Sequence, residues 1–184
     1  MVITNADDFM GQSTQVVFGK EGGQIIADTN DLRQPDTADA LIADAAHAHV
    51  LIANLAASTF SGIADQNLSD ADWECAFDVI AYPLHRLTLA VLPQMIGRKA
   101  GRIVVYGSAS ALRGMKTLCA YSSARAAQVG IGLHVGNPEA GLGALVHGAP
   151  GHDDVGQAGS HRRHGVGERL EKYALIIAAL RGRP

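Results

Sequence analysis

Apolar positions in the first two-thirds of the chain switch between two patterns. Val2-Ile3-Thr4 and Val50-Leu51-Ile52-Ala53-Asn54 are short, continuous apolar runs of the kind that form buried parallel strands. Gln24-Ile25-Ile26-Ala27-Asp28 and Gly101-Arg102-Ile103-Val104-Val105-Tyr106-Gly107 read the same way. Between these runs the pattern predicts helices from Gln12 to Glu21, from Ala38 to Ala46, from about Trp73 to Met95 and from Ala120 to Val129. Gly22-Gly23 stops the first helix. Ser69 and Asp70 are good N-cap residues for the third, and Asp72 and Glu74 suit the positive end of its dipole. Pro83 predicts a kink within it. Alternating strands and helices imply an α/β fold with a parallel sheet and right-handed crossovers. Ligands of such sheets bind at the carboxyl ends of the strands. The loops after Thr4, Ala53 and Gly107 are therefore expected on one edge.

The pattern fails after about Ile131. Residues 130–167 hold eleven of the 21 glycines and five of the eight histidines, and residues 151–167 show neither helical nor strand period. This bias fits a flexible tail or a shifted reading frame, and no further strand is legible in it. Leu170, Tyr173, Ala174, Ile177 and Leu180 regain helical spacing. The chain thus divides into an α/β part, 1–135, and an atypical Gly/His-rich tail, 136–184, with a terminal helix. His152, Asp153, Asp154, His161 and His164 are too irregularly spaced to suggest a metal site.

Composition narrows the function. A net charge of −3 offers no basic footprint for nucleic acid. No apolar run approaches the roughly 18 residues of a membrane span, so no membrane partner is expected. Cys75 and Cys119 have neither metal nor disulfide spacing, and are expected as small buried hydrophobes in a reducing, cytoplasmic setting. Val2-Ile3-Thr4 resembles the end of a strand whose start is absent, so the fold is expected to be incomplete at both ends.

The chemistry concentrates in three residues. Ser108 precedes Tyr121 by thirteen positions, and Arg125 follows Tyr121 by four. Tyr121 and Arg125 share a helix face, and Ser108 follows a strand at the ligand-binding edge. A phenol ionises near pH 10 and is a poor base at neutral pH, but a cation beside it favours the phenolate. Arginine is a permanent cation with a rigid fork of donors.

The spacing resembles the Ser-Tyr-Lys set of the short-chain dehydrogenases/reductases, with Arg in place of Lys. In those enzymes the loop after the first strand reads T-G-x-x-x-G-x-G and cradles a dinucleotide pyrophosphate. Here Thr4 is followed by Asn5, Phe9 and Gly11 at the three glycine positions, with Asp7 and Asp8 adding negative charge. The surviving T-x4-F-x-G, together with Ser-Tyr-Arg, resembles the halohydrin dehalogenases over about residues 1–130. That resemblance implies a Rossmann-like, doubly wound parallel sheet with helices on both faces.

It further implies conversion of vicinal haloalcohols to epoxides and halide, and the reverse opening, without a cofactor. Ser108, Tyr121 and Arg125 would be catalytic, and Phe9, Thr4 and Gly11 would line the substrate and halide pocket. The partners implied are a small haloalcohol or epoxide, halide, and further copies of the chain through the Trp73 and Ala120 helices. The alternatives are an NAD(P)-dependent oxidoreductase, with Asp28 where a ribose-binding acid would lie, or an inactive fragment. Two departures bear on this. Ile80 follows Asp78-Val79 where the dehydrogenases carry a relay Asn, and Asn54-Leu55-Ala56 stands where they carry a structural N-A-G, so Asn54 is expected to brace the sheet.

Overall fold

In a computed structural model, residues 1–8, 10–55, 65–113 and 115–136 are described, together with the backbone of 142–149. The elements run β1 (Val2–Ile3), α1 (Gly11–Lys20), β2 (Ile26–Ala27), α2 (Thr37–Asp44), β3 (Val50–Ala53), α3 (Asp70–Arg98), β4 (Gly101–Ser108), α4 (Cys119–Val135) and β5 (Leu142–Ala149). The five strands form one sheet in the order β2-β1-β3-β4-β5, and every pair is parallel.

Alternation along β4 shows how the layers form. Ile103 and Val105 point to one face, where they pack with Val2, Leu51 and Ala53 under Leu41, Ile42, Leu84, Leu87 and Val91 of α2 and α3. Val104 and Tyr106 point to the other, against Ile3, Ile52 and the α1 residues Val17 and Phe18. The sheet is thus covered on both faces, as a Rossmann-like parallel sheet requires. From β1 the chain moves outward to β2, then returns to place β3 on the other side of β1. In open parallel sheets such a reversal, here at the carboxyl ends of β1 and β3, is where ligands bind.

α3 begins with a capping box: the Ser69 hydroxyl accepts from Asp72 N, and the Asp72 carboxylate accepts from Ser69 N. The Ser69 hydroxyl, donating to the Asp72 carboxylate, and after it the Ser69 N–H hold that carboxyl below its usual range. The helix ends with Lys99 in the left-handed region at φ 51° and runs through Pro83 and Pro93 as a single element. By length and composition alone it could cross a membrane, which no apolar run in the sequence suggested. Ile80, Leu84, Leu87, Val91 and Met95 on it are fully buried in the protein.

Two expectations change. β5 lies beyond 135, in the stretch assigned to the tail, and pairs with β4 from Gly101↔Leu142 to Ser108↔Ala149. Backbone hydrogen bonding along a full neighbouring strand forms it where side-chain pattern does not. Cys75 and Cys119 are both exposed rather than buried, because their helix positions face away from the core. The terminal helix and the histidine-rich segment lie outside the described residues.

Candidate active site

β4 ends at Ser108, and the chain turns at once into a short 3-10 turn, Ala109–Ala111. Ser108 caps this turn in an extended conformation, its Oγ accepting from Ser110 N at 3.3 Å and from the Ser110 hydroxyl at 2.9 Å. A hydroxyl has one hydrogen and two acceptor positions. With both acceptor positions used, Ser108 keeps its hydrogen to donate. Before α4 the backbone passes Thr117 at φ 62°, a strained conformation for a β-branched residue. α4 then packs against β4 and the turn, which places Tyr121 and Arg125 beside the strand end carrying Ser108.

Arg125 is 1% exposed. Its Nη1 donates to the Tyr106 carbonyl at 2.8 Å and to Gln128 Oε1 at 3.0 Å. Its Cζ stands 5.0 Å from the centroid of the Tyr121 ring, within cation–π range. Burial lowers the guanidinium's proton affinity, while the charge of Tyr121 and a hydrogen bond to it raise it. Among the described residues no carboxylate lies within ion-pair distance of Arg125, and its Nε is buried without a partner. Gln128, itself fully buried, donates from Nε2 to the Ile80 carbonyl of α3 at 2.9 Å. Ser110 and Gln128 were not singled out in the sequence. A polar residue seven positions after Tyr121 on the same helix face was the available signal for Gln128.

The turn after β1 holds itself shut. Thr4 is fully buried, its hydroxyl accepting from Asn54 N at 3.0 Å and reaching the Ile52 carbonyl at 3.5 Å. Asn5 stands at φ 43°, in the left-handed region that asparagine tolerates, and donates from its side chain to the Asn54 carbonyl at 2.9 Å. Asn54 returns two bonds from Nδ2, to the Asn5 and Asp8 carbonyls, each at 2.9 Å. Asn54 therefore braces β3 against the turn, as expected. The backbone N–H groups of Ala6, Asp8 and Gly11 are taken by Asp28, Asn5 and Asp8 carbonyls.

Thr4 and Gly11, expected as pocket walls, are buried inside this turn and build it instead. A Cβ on Gly11 would stand 2.5 Å from both the Asn5 and Ala6 carbonyl oxygens, so only glycine fits there. Gly11→Ala should cost about 1–3 kcal/mol, measured as a fall in the chemical-denaturation midpoint; an unchanged midpoint would show that the turn opens freely. Phe9 lies outside the described residues.

The turn fits a dinucleotide poorly. Three of its N–H groups, those of Ala6, Asp8 and Gly11, are bonded internally, and Asp7 and Asp8 are exposed carboxylates beside them. The end of β2 differs. Asp28 is 3% exposed, its Oδ1 accepts from Asn30, and its Oδ2 is buried without a partner. That oxygen suits a ligand hydroxyl. A cavity of about 760 Å³ lined by Met1, Phe18, Gln24, His47 and His49 opens at the opposite, amino ends of the strands, away from Ser108 and Tyr121.

The family model described as short chain dehydrogenase matches residues 2–146, spanning the sheet from β1 into β5. The chain belongs to the short chain dehydrogenase family. Among curated relatives, Dehydrogenase/reductase SDR family member 6 of Danio rerio is 29% identical, the match covering 71% of this chain and 61% of that protein. The same-named protein of Rattus norvegicus is 24% identical over the same shares. The chain thus spans about three-fifths of these relatives' length. Among solved structures, one titled "Dehalogenation enzyme" is 25% identical with a TM-score of 0.70, over 81% of this chain and 70% of that one. A halohydrin dehalogenase bound to ethyl (2S)-oxiran-2-ylacetate has the same fold: 20% identity, TM-score 0.70, 79% and 67% covered. So does a serine dehydrogenase from Escherichia coli: 21% identity, TM-score 0.67, 73% and 74% covered.

Proposed function

We propose that this member of the short chain dehydrogenase family is a halohydrin dehalogenase, interconverting vicinal haloalcohols with epoxides and halide without a nicotinamide. The observation that carries the reading is Arg125: a buried guanidinium held against the Tyr121 ring, whose acceptors among the described residues are all neutral. Its charge is available to Tyr121, while its Nη1 is committed inside the protein. Ser108 donates to the substrate oxygen and positions it. Tyr121, as phenolate, takes the hydroxyl proton. The oxygen's electron pair forms the new C–O bond at the neighbouring carbon, and the halide leaves with the electrons of the C–halogen bond. In reverse, halide opens the epoxide and Tyr121 returns the proton. Holding oxygen and base together makes the step effectively unimolecular.

The second reading is an NAD(P)-dependent oxidoreductase. The curated relatives named dehydrogenase/reductase weigh more for it than for the first, and the unpartnered Asp28 Oδ2 suits a ribose hydroxyl. The internally bonded turn and the Arg at the lysine position weigh the other way. The deciding assay is bromide release from a simple vicinal bromoalcohol with no nicotinamide, run beside a fluorescence titration with NADH and NADPH. Release without cofactor and no saturable nicotinamide binding is the expected result. Micromolar nicotinamide binding with no bromide release would replace this reading with the second. Tyr82, Leu89 and Ile96, exposed at seven-residue intervals along α3, support a further part of the proposal, a homo-oligomer.

A further inference from the structure

The buried side chain least explained by packing is Gln128. It is fully buried on α4, and both ends of its amide are bonded. Nε2 has a fixed partner, the Ile80 carbonyl of α3, 48 residues away in sequence. A carbonyl only accepts, so the NH2 end must face α3 and the oxygen must face Arg125. The orientation is thus set by the second helix. Pro83 lacks the N–H that would serve the Val79 carbonyl, one residue before Ile80.

What Gln128 presents to Arg125 is a neutral oxygen. A buried cation usually has an ionised partner, because an uncompensated charge inside a protein is costly. Among the described residues Arg125 has only neutral ones: the Tyr106 carbonyl, Gln128 and the Tyr121 phenol. A glutamate of the same shape at 128 would pair with the guanidinium and cancel its field at Tyr121. It would also face the Ile80 carbonyl with oxygen against oxygen. Among the described residues, Tyr121 is the titratable group whose charge bears on Arg125. β4 contributes the Tyr106 carbonyl and α3 the Ile80 carbonyl, and neither titrates.

We propose that Gln128 is a positioning residue that holds Arg125 over the Tyr121 ring without neutralising it. This deepens the dehalogenase reading, since such a cation is useful where negative charge must form on Tyr121. The test does not depend on that activity. Tyr121 is titrated in the whole chain, without substrate, by NMR of tyrosine labelled with ¹³C at Cζ, and Tyr121→Phe assigns its signal. Gln128→Glu should move the Tyr121 titration upward by about one pH unit. Gln128→Met, which adds no charge, should move it by less than half as much. It should also shift the Arg125 Nε–H signal, because one of the guanidinium's fixed acceptors is lost while the Tyr106 carbonyl keeps it near the ring.

An unmoved Tyr121 titration in a folded Gln128→Glu chain would overturn the proposal. So would equal movement in both variants, which would assign the effect to lost packing. If the Glu variant does not fold, the Met variant decides: an unchanged Arg125 signal there means Gln128 holds nothing. Absence of bromide release alongside the expected titrations would reject the dehalogenase and leave Gln128's role standing.

Discussion

Tyr121→Phe should slow halide release from a vicinal haloalcohol by about 10²–10⁴-fold, the usual contribution of a positioned general base. The substitution removes one oxygen and leaves the ring, which packs with Ala76, Ile80, Ala120 and Ala124 where α3 meets α4. The ring also remains under the Arg125 guanidinium, 5.0 Å from Cζ. Stability should therefore hold while chemistry fails, and this separation makes the variant informative. Single-turnover halide release, with circular dichroism to check the fold, reads both quantities. A variant working within a few-fold of the parent would remove Tyr121 as the base and, with it, the mechanism above.

Arg125→Met should lower the same rate by on the order of 10²–10³-fold, the scale found when a preorganised electrostatic contact is removed, yet leave a folded protein. Two opposing terms make this so. Removing a buried charge that lacks an ionised partner relieves a desolvation cost of several kcal/mol. Against it, the Tyr106 carbonyl and Gln128 Oε1 each lose a donor, at about 1–3 kcal/mol apiece. The terms are of similar size, so the thermal midpoint should move by only a few degrees. Arg125→Lys tests the geometry separately, since it keeps the charge and loses the planar fork. Parent-like turnover in Arg125→Met would show that Tyr121 needs no cation. An unfolded product would show that Arg125 serves the fold first.

The two family readings predict different fates for the β1 turn. In the dehalogenase reading its N–H groups stay bonded to Asp28, Asn5 and Asp8, as they are here. In the oxidoreductase reading those of them that meet a pyrophosphate must be released. Each hydrogen bond so broken is worth about 0.5–1.5 kcal/mol net.

Much of the architecture is local and was legible in the chain. The apolar runs at Val50–Ala53 and Gly101–Ser108 are strands, the capping residues at Ser69 start α3, and α1 and α2 fall within two residues of their expected bounds. Such elements are set by side-chain period and end signals among near neighbours. The Ser108, Tyr121 and Arg125 spacing is legible for the same reason: one strand end and one helix turn determine it. The sequence by itself thus determined a Rossmann-like α/β sheet, with Ser108 at a strand end and Tyr121 and Arg125 one turn apart on a helix.

Only the tertiary structure decided the remainder, because it rests on partners distant in sequence. β5 forms against β4 despite Gly143 and Gly148, since backbone pairing with a neighbour needs no side-chain pattern. Thr4 looks like a pocket residue until Asn54, 50 positions away, takes its hydroxyl. Gln128 looks like any polar helix residue until α3 fixes its amide through Ile80. The set of neutral partners described around Arg125 exists only once β4, α3 and α4 meet.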